Sequence, residues 1–412
     1  MGKPEILQKV WEWTKEELTT EEINNKLLLA TDGGGRTVWH LAADRFTPKI
    51  LQKLWEMAEE ELTTEGINKL LLTTDSEGRT IWHLAAQRGK SEILQKLWEW
   101  AKEKLRTEEI NNKLLLATDY KGMTVWHMAA DWGKTEILHY IWEWAKEKLT
   151  IEEINNKLLL ATDKKGRTVW HMAAERGNPE ILQKIWECAK KELTTEEINS
   201  KLLLATDGKG RTVWHVAAKK GTPGVLQKVR ECAKEKLTTE EIHNKLFLAT
   251  DKKGRTVWHV AAEWGNQEIL QKVWEWTKEE FTTEELNNKL LLATDCEGRT
   301  VWHLAAGWIT PEVLQKLWDL AEEAQITEEM YNKLLLATDN KGWTVCHCAV
   351  EIYNFFALQK IWEMTIKKLT TVEINNKLFW PQTLKEGPSC TWQQSVAQTK
   401  YYRIYRSSLK RN

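Results

Sequence analysis

Cysteine, proline and glycine are scarce in this chain. Six Cys among 412 residues follow no regular pairing pattern. That excludes a disulfide-built fold and suits a reducing compartment. Seven Pro and 21 Gly are too few for a loop-rich or all-β protein. Neither sign of charge is in excess. Lys and Arg number 59 against 60 Asp and Glu, for a formal net charge of −1. A dedicated nucleic-acid or polyanion binder carries a basic surplus, which is missing here. No apolar run approaches the roughly 18 residues of a membrane-spanning helix. The opening Met1-Gly2-Lys3-Pro4-Glu5-Ile6 lacks the apolar stretch of a secretory signal. Ile6 stands where a myristoylation pattern requires Ser or Thr. The expectation is a cytoplasmic or nuclear protein with no membrane attachment. Hydrophobic residues at 42% and charged residues at 29% describe a chain that folds. The residue in surplus is tryptophan, at 25.

An internal repeat organises the sequence. The Asp of a Thr-Asp-x-x-Gly element recurs at Asp32, Asp75, Asp119, Asp163, Asp207, Asp251, Asp295 and Asp339, spaced by 43 and then six times by 44. The short step is a one-residue deletion, with Gly66-Ile67-Asn68-Lys69 where other repeats read Glu-Ile-Asn-Asn-Lys. The repeat from Asp163 opens with a Gly-containing turn. A short helix comes next, with Thr168 as its N-cap, small residues at Ala173 and Ala174, and Gly177 as a left-handed cap. A second helix begins near Pro179 and runs to about Leu193. Its apolar face holds Ile181, Leu182, Ile185, Trp186 and Ala189, opposite Lys184, Glu187, Lys190 and Lys191. Thr194 and Glu197 form a capping box that opens a third short helix. Such a repeat cannot enclose a core alone, but stacked copies can.

The motif Asp-x-x-Gly-x-Thr-x-x-His-x-Ala-Ala-x-x-Gly, with an amphipathic helix after it, resembles the ankyrin repeat. That family reads Thr-Pro-Leu-His where this chain reads Thr-Val-Trp-His. The motif spans 37–43, 80–86, 124–130, 168–174, 212–218, 256–262 and 300–306, with a degraded copy at 344–350. The resemblance implies an all-α, ankyrin-like solenoid of about eight repeats of three helices each plus end caps. Residues 1–30 form an N-terminal capping half-repeat, 31–379 hold the eight repeats of 44 residues, and 380–412 make a basic, partly disordered tail. The period exceeds the family's usual 33 or so. The added residues fall where ankyrin repeats project a finger, and here they read as the third helix.

Eight His recur in register: His40, His83, His127, His171, His215, His259, His303 and His347. Packed helices lie about 8–10 Å apart, too far for neighbouring imidazoles to share one ion at Zn–N distances near 2 Å. Each is expected to hydrogen-bond a turn of its own or the adjacent repeat. Cys346-His347-Cys348 lacks a second pair at finger-like spacing and reads as buried thiols. Arg36, Arg79, Arg167, Arg211, Arg255 and Arg299 form a second line. They either bind phosphate or acidic segments or pair with the Asp four residues earlier. Trp39, Trp82, Trp126, Trp170, Trp214, Trp258 and Trp302 belong to the core. In Trp11/Trp13, Trp98/Trp100, Trp142/Trp144 and Trp274/Trp276 the paired rings face about 200° apart on a helix, so one ring of each pair is expected to be partly exposed.

The position after Ala-Ala-x varies: Arg45, Arg88, Trp132, Arg176, Lys220, Trp264, Trp308 and Ile352. The resemblance places it on the side that lines the concave groove in ankyrin proteins. Arg and Trp dominate interface hot spots. These side chains either anchor a partner protein or merely cover apolar surface. The tail, with six cations against one acid and Tyr401, Tyr402 and Tyr405, either binds acidic partners or nucleic acid or is a terminal extension. No phosphate loop, His-Glu-x-x-His or Gly-x-Ser-x-Gly is present. The expectation is a non-enzymatic protein-interaction scaffold, with no cofactor or metal, that is monomeric or weakly self-associating. The alternatives are a self-associating structural array and, below it, a nucleic-acid binder.

Overall fold

A computed structural model describes residues 4–45, 47–307, 312–370 and 378. Among them there is no β-strand, only two isolated bridges that join Thr74 to Thr80 and Thr162 to Thr168. The chain is all-α. No helix of the described residues is long and apolar enough to cross a membrane. The chain forms two compact units. One holds the residues up to Val213 together with Gln227–Lys236; the other holds Trp214–Leu226 and the residues from Leu237 onward.

Within the first unit, the repeat around Asp163 shows how local sequence sets local structure. The helix Val169–Arg176 ends at Gly177, whose φ of 77° only glycine adopts at little cost. Asn178 then caps Pro179–Glu192, its Oδ1 accepting from Glu180 N–H at 2.9 Å and Ile181 N–H at 3.2 Å. Ile181, Leu182, Ile185, Trp186 and Ala189 are buried along that helix, and Lys184, Lys190 and Lys191 are exposed. Thr194 and Glu197 form the expected capping box, each side chain accepting from the other's backbone N–H at 3.2 Å.

The segment beyond the box differs from an ordinary third helix. One α-turn, Thr195–Glu197, passes into a wider π-helical segment, Ile198–Leu203. The same widening occurs at Asn24–Leu28, Ile110–Leu115, Ile154–Leu159, His243–Phe247 and Leu286–Leu291. It is absent from Thr64–Leu72 and Glu328–Leu336, which are α-helical throughout. Residue count explains the division. From the cap position to the turn Asp the chain has 13 steps at Thr19, Arg106, Thr150, Thr194, Thr238 and Thr282, but 12 at Thr63 and Thr327. Fixed end points leave one residue too many for regular i→i−4 bonding, and the helix absorbs it as a π-turn. Deleting Asn156, which is exposed, reproduces the shorter spacing. The expected product is a plain α-helix over this segment. Its unfolding free energy should lie within about 1 kcal/mol of the parent in a denaturant titration. A collapse of the cooperative transition would count against this origin.

The segment also carries a polar link. Asn111, Asn155 and Asn199 each donate through Nδ2 to the last carbonyls of the next long helix, at Lys148 O (2.9 Å), Glu192 O (3.0 Å) and Lys236 O (3.2 Å). Those carbonyls have no partner within their own helix.

The tryptophan pairs behave differently from the expectation. Both rings of Trp98/Trp100, Trp142/Trp144 and Trp274/Trp276 are buried; only the first pair of the chain leaves one ring out, at Trp13. The second ring packs against the repeat before it. Trp100 stacks on Trp55 at 4.2 Å with an interplanar angle of 2°, and Trp144 stacks on Trp98 at 4.7 Å and 12°. Helical periodicity placed the two rings on opposite sides of the helix correctly. Both sides, however, face protein. The motif tryptophans from Trp39 to Trp302 are all buried, and their indole N–H groups meet no oxygen or nitrogen acceptor. They serve as apolar bodies.

Candidate functional site

The repeated polar residues are used internally. In each turn the Asp carboxylate binds the backbone just after it. Asp163 Oδ1 accepts from Lys165 N–H and Arg167 N–H at 2.9 and 2.8 Å, and Oδ2 from Arg167 Nε and Nη2 at 2.9 and 2.7 Å. Asp75, Asp207, Asp251 and Asp295 repeat this with Arg79, Arg211, Arg255 and Arg299. Burial opposes ionisation of Asp75, Asp207 and Asp251; the Arg guanidinium and the backbone N–H groups outweigh it and hold each carboxyl below its ordinary 3.8. The Arg line is therefore committed to the turns. Gly166 lets consecutive turns meet: with φ of 71°, any Cβ there would lie 2.8 Å from Gly208 N, the atom that donates to Lys165 O.

The histidines are committed too. His127 Nδ1 accepts from the Thr124 hydroxyl at 2.8 Å and from Thr124 N–H at 3.4 Å, while Nε2 donates to Ala161 O at 3.0 Å. His40, His83, His171, His259 and His303 repeat the arrangement with Thr37, Thr80, Thr168, Thr256 and Thr300 and a carbonyl 34 to 40 residues ahead. His215 Nε2 reaches Arg255 O at 2.9 Å. A backbone N–H aimed at Nδ1 fixes the neutral tautomer with its proton on Nε2. In His127 and the five that repeat it, both ring nitrogens are occupied, which leaves neither for a metal; His347 Nδ1 meets the Thr344 hydroxyl at 2.8 Å. Burial drives the imidazole pKa values below 6.5, to about 4 for His127, His171, His259 and His347. Cys346 and Cys348 are buried, and burial pushes the Cys348 thiol up to about 12. No group of three His, Cys, Asp or Glu among the described residues is placed to hold a metal ion.

The variable position is left at the surface. In the first unit it forms two clusters. Asp44, largely buried, takes ion pairs from Arg45 at 3.3 Å and from Arg88. Trp132, 38% exposed, lies under the guanidinium of Arg176 at 5.1 Å. Arg176 also donates to Asp131 O and stands 3.8 Å from its carboxylate. In the second unit Lys220 is exposed, and Trp264, 42% exposed, carries a cation over its face at 4.5 Å. That cation is Lys219 rather than Lys220. Ile352 is exposed, and Trp308 lies outside the described residues. The structure thus joins Arg45 to Arg88 and Trp132 to Arg176. Sequence reading missed Asp44, Asp131 and Lys219, each one residue before the position it singled out. Their signal was present: that position carries Asp44, Asp131, Glu175 and Glu263 but switches to Lys219. Glu175 and Glu263 turn inward to Arg167 and Arg255.

No known family model matches the chain, and no curated protein is significantly similar to it.

Proposed function

We propose that the chain is a non-enzymatic protein-interaction scaffold, an ankyrin-like solenoid of about eight 44-residue repeats with end caps. It binds a partner protein through Arg45, Arg88, Trp132, Arg176, Lys220 and Trp264. One observation carries the reading. The strongly repeated polar residues are consumed within the turns, whereas the one variable line presents half-exposed indoles with cations held over their faces. Cation and ring together suit a partner surface of acidic and aromatic side chains. Preformed pairs also lower the ordering cost of binding. The Arg line favours nucleic acid less than its spacing suggested, because its guanidinium groups already neutralise buried carboxylates. The test is capture from a native lysate by the parent and by a variant carrying Arg88→Ala, Trp132→Ala, Arg176→Ala and Trp264→Ala, with circular dichroism establishing that both fold. A protein retained by the parent and lost by the variant supports the reading; equal retention removes this line as the site.

A further inference from the structure

The turns and the surface line balance charge in opposite ways. In the turns each guanidinium is matched or outnumbered by acids: Arg211 meets Asp207, and Arg167 meets both Asp163 and Glu175. At Asp44 the ratio is reversed. Two arginines, Arg45 and Arg88, meet one carboxylate. Burial opposes ionisation of Asp44; Arg88 and Arg45 outweigh it and hold the carboxyl below its ordinary 3.8. One negative charge therefore faces two positive ones, and among the described residues no other carboxylate lies in ion-pair range of either guanidinium. Lys134 adds a cation nearby. Its side chain passes Gly89, the residue after Arg88, where a Cβ would come within 2.8 Å of Lys134 Cδ.

The way the two arginines are held leaves donors for a ligand. Each touches Asp44 through Nε. Their Nη groups make no hydrogen bond among the described residues, and the side chains are 66 and 48% exposed. The Nη1–Nη2 edge of each guanidinium, a pair of parallel N–H donors, thus stays open. One carboxylate holds both groups, so the two forks stand beside each other on neighbouring repeats and part of their ordering cost is already met. A ligand carboxylate has two oxygens and occupies one fork. A phosphate monoester has three free oxygens and a charge of about −1.5 to −2 at pH 7. It can span both forks and answers the excess positive charge.

We infer that Arg45 and Arg88 together hold the phosphate of a phosphorylated side chain in an extended segment of the partner protein. This deepens the partner-line reading and rests on it. Trp132 and Arg176 continue the line over the next two repeats, ring under cation, and receive the residues that flank the phosphate. A line four repeats long suits an extended peptide better than a compact lipid headgroup. Clusters of Arg are a recurring means of reading phosphorylated segments.

Fluorescence anisotropy on the full chain tests it, with three labelled peptide mixtures of random flanks and a central phosphoserine, serine or glutamate. The phosphoserine mixture is expected to bind at least about tenfold tighter than the other two. Arg88→Ala is expected to abolish that preference; Asp44 keeps Arg45, so the fold is retained. Arg88→Lys keeps the charge but not the fork, and is expected to lose the preference as well. Lys209→Ala removes an exposed cation from a turn and leaves binding unchanged. Equal binding of the three mixtures overturns the inference. So does parent-strength binding by Arg88→Ala or Arg88→Lys, or an equal loss with Lys209→Ala. Tighter binding to vesicles carrying phosphorylated inositol lipids overturns it in favour of a membrane. The partner line itself fails on a different result, equal capture by its four-site variant. A captured protein that needs that line yet binds equally after phosphatase treatment leaves the line standing and removes only the phosphate.

Discussion

Acidification from pH 6.5 to pH 4 is expected to unfold the protein in a steep transition. The cause is the imidazole ladder. His127, His171, His259 and His347 hold pKa values near 4 against an ordinary 6.5, and His40, His83, His215 and His303 are lowered as well; burial is the first cause in each case. A depressed imidazole pKa means that the folded chain binds fewer protons than the unfolded chain in this window. Stability is then complete above pH 6.5, falls with pH, and is lost by the folded value. Each such His contributes a slope of up to about 1.4 kcal/mol per pH unit, so several acting together rival the 5–15 kcal/mol of a typical domain. Protonation also sets a second N–H against the Thr backbone N–H that now points at Nδ1. The turn carboxylates add their loss only at lower pH, because Asp75, Asp207 and Asp251 stay ionised below 3.8. Helix content measured by circular dichroism across pH 8 to 3 checks this. A protein equally stable at pH 7 and pH 4.5 would refute the neutral, buried ladder.

Removing one ring at two equivalent positions is expected to have very unequal consequences. Trp100→Ala deletes an indole that is 8% exposed and stacked on Trp55 at 4.2 Å. Burial of that size and the cavity left behind put the cost at about 3–5 kcal/mol. Trp13→Ala, at the same register position, removes a ring that is 63% exposed and is expected to change stability by less than about 0.5 kcal/mol. Guanidinium titrations of the two variants, run at a concentration where the parent is monomeric, give the comparison. Equal effects would show that the cover the preceding repeat places over Trp100 contributes nothing to stability.

Much of this was legible in the sequence because the repeat states each rule several times. Gly177 after the first helix and the Thr194/Glu197 box are local signals that the structure uses as written, whereas Thr168 stands at the N-cap position with its hydroxyl on His171 Nδ1 at 2.9 Å. The pairing of Arg with the Asp four residues earlier was one of two readings, and it is the one realised. The burial of Trp100 and Trp144 was not legible from one helix, since helical period separates faces but does not say what lies against each. The π-segments were countable, as 13 steps against 12, but the count acquires meaning only once the cap and the turn are known to be fixed points. At the surface line, residue type singled out Trp132 and Arg176 but not their contact, which joins side chains 44 positions apart.

The most direct test of the recognition reading is the affinity of the captured partner for single variants, measured by isothermal titration. Trp132→Ala and Trp264→Ala are each expected to weaken binding at least about tenfold, or about 1.4 kcal/mol. Trp13→Ala, away from that line, is expected to leave it unchanged. Binding that is indifferent to Trp132 and Trp264 but lost with Trp13 would contradict the account.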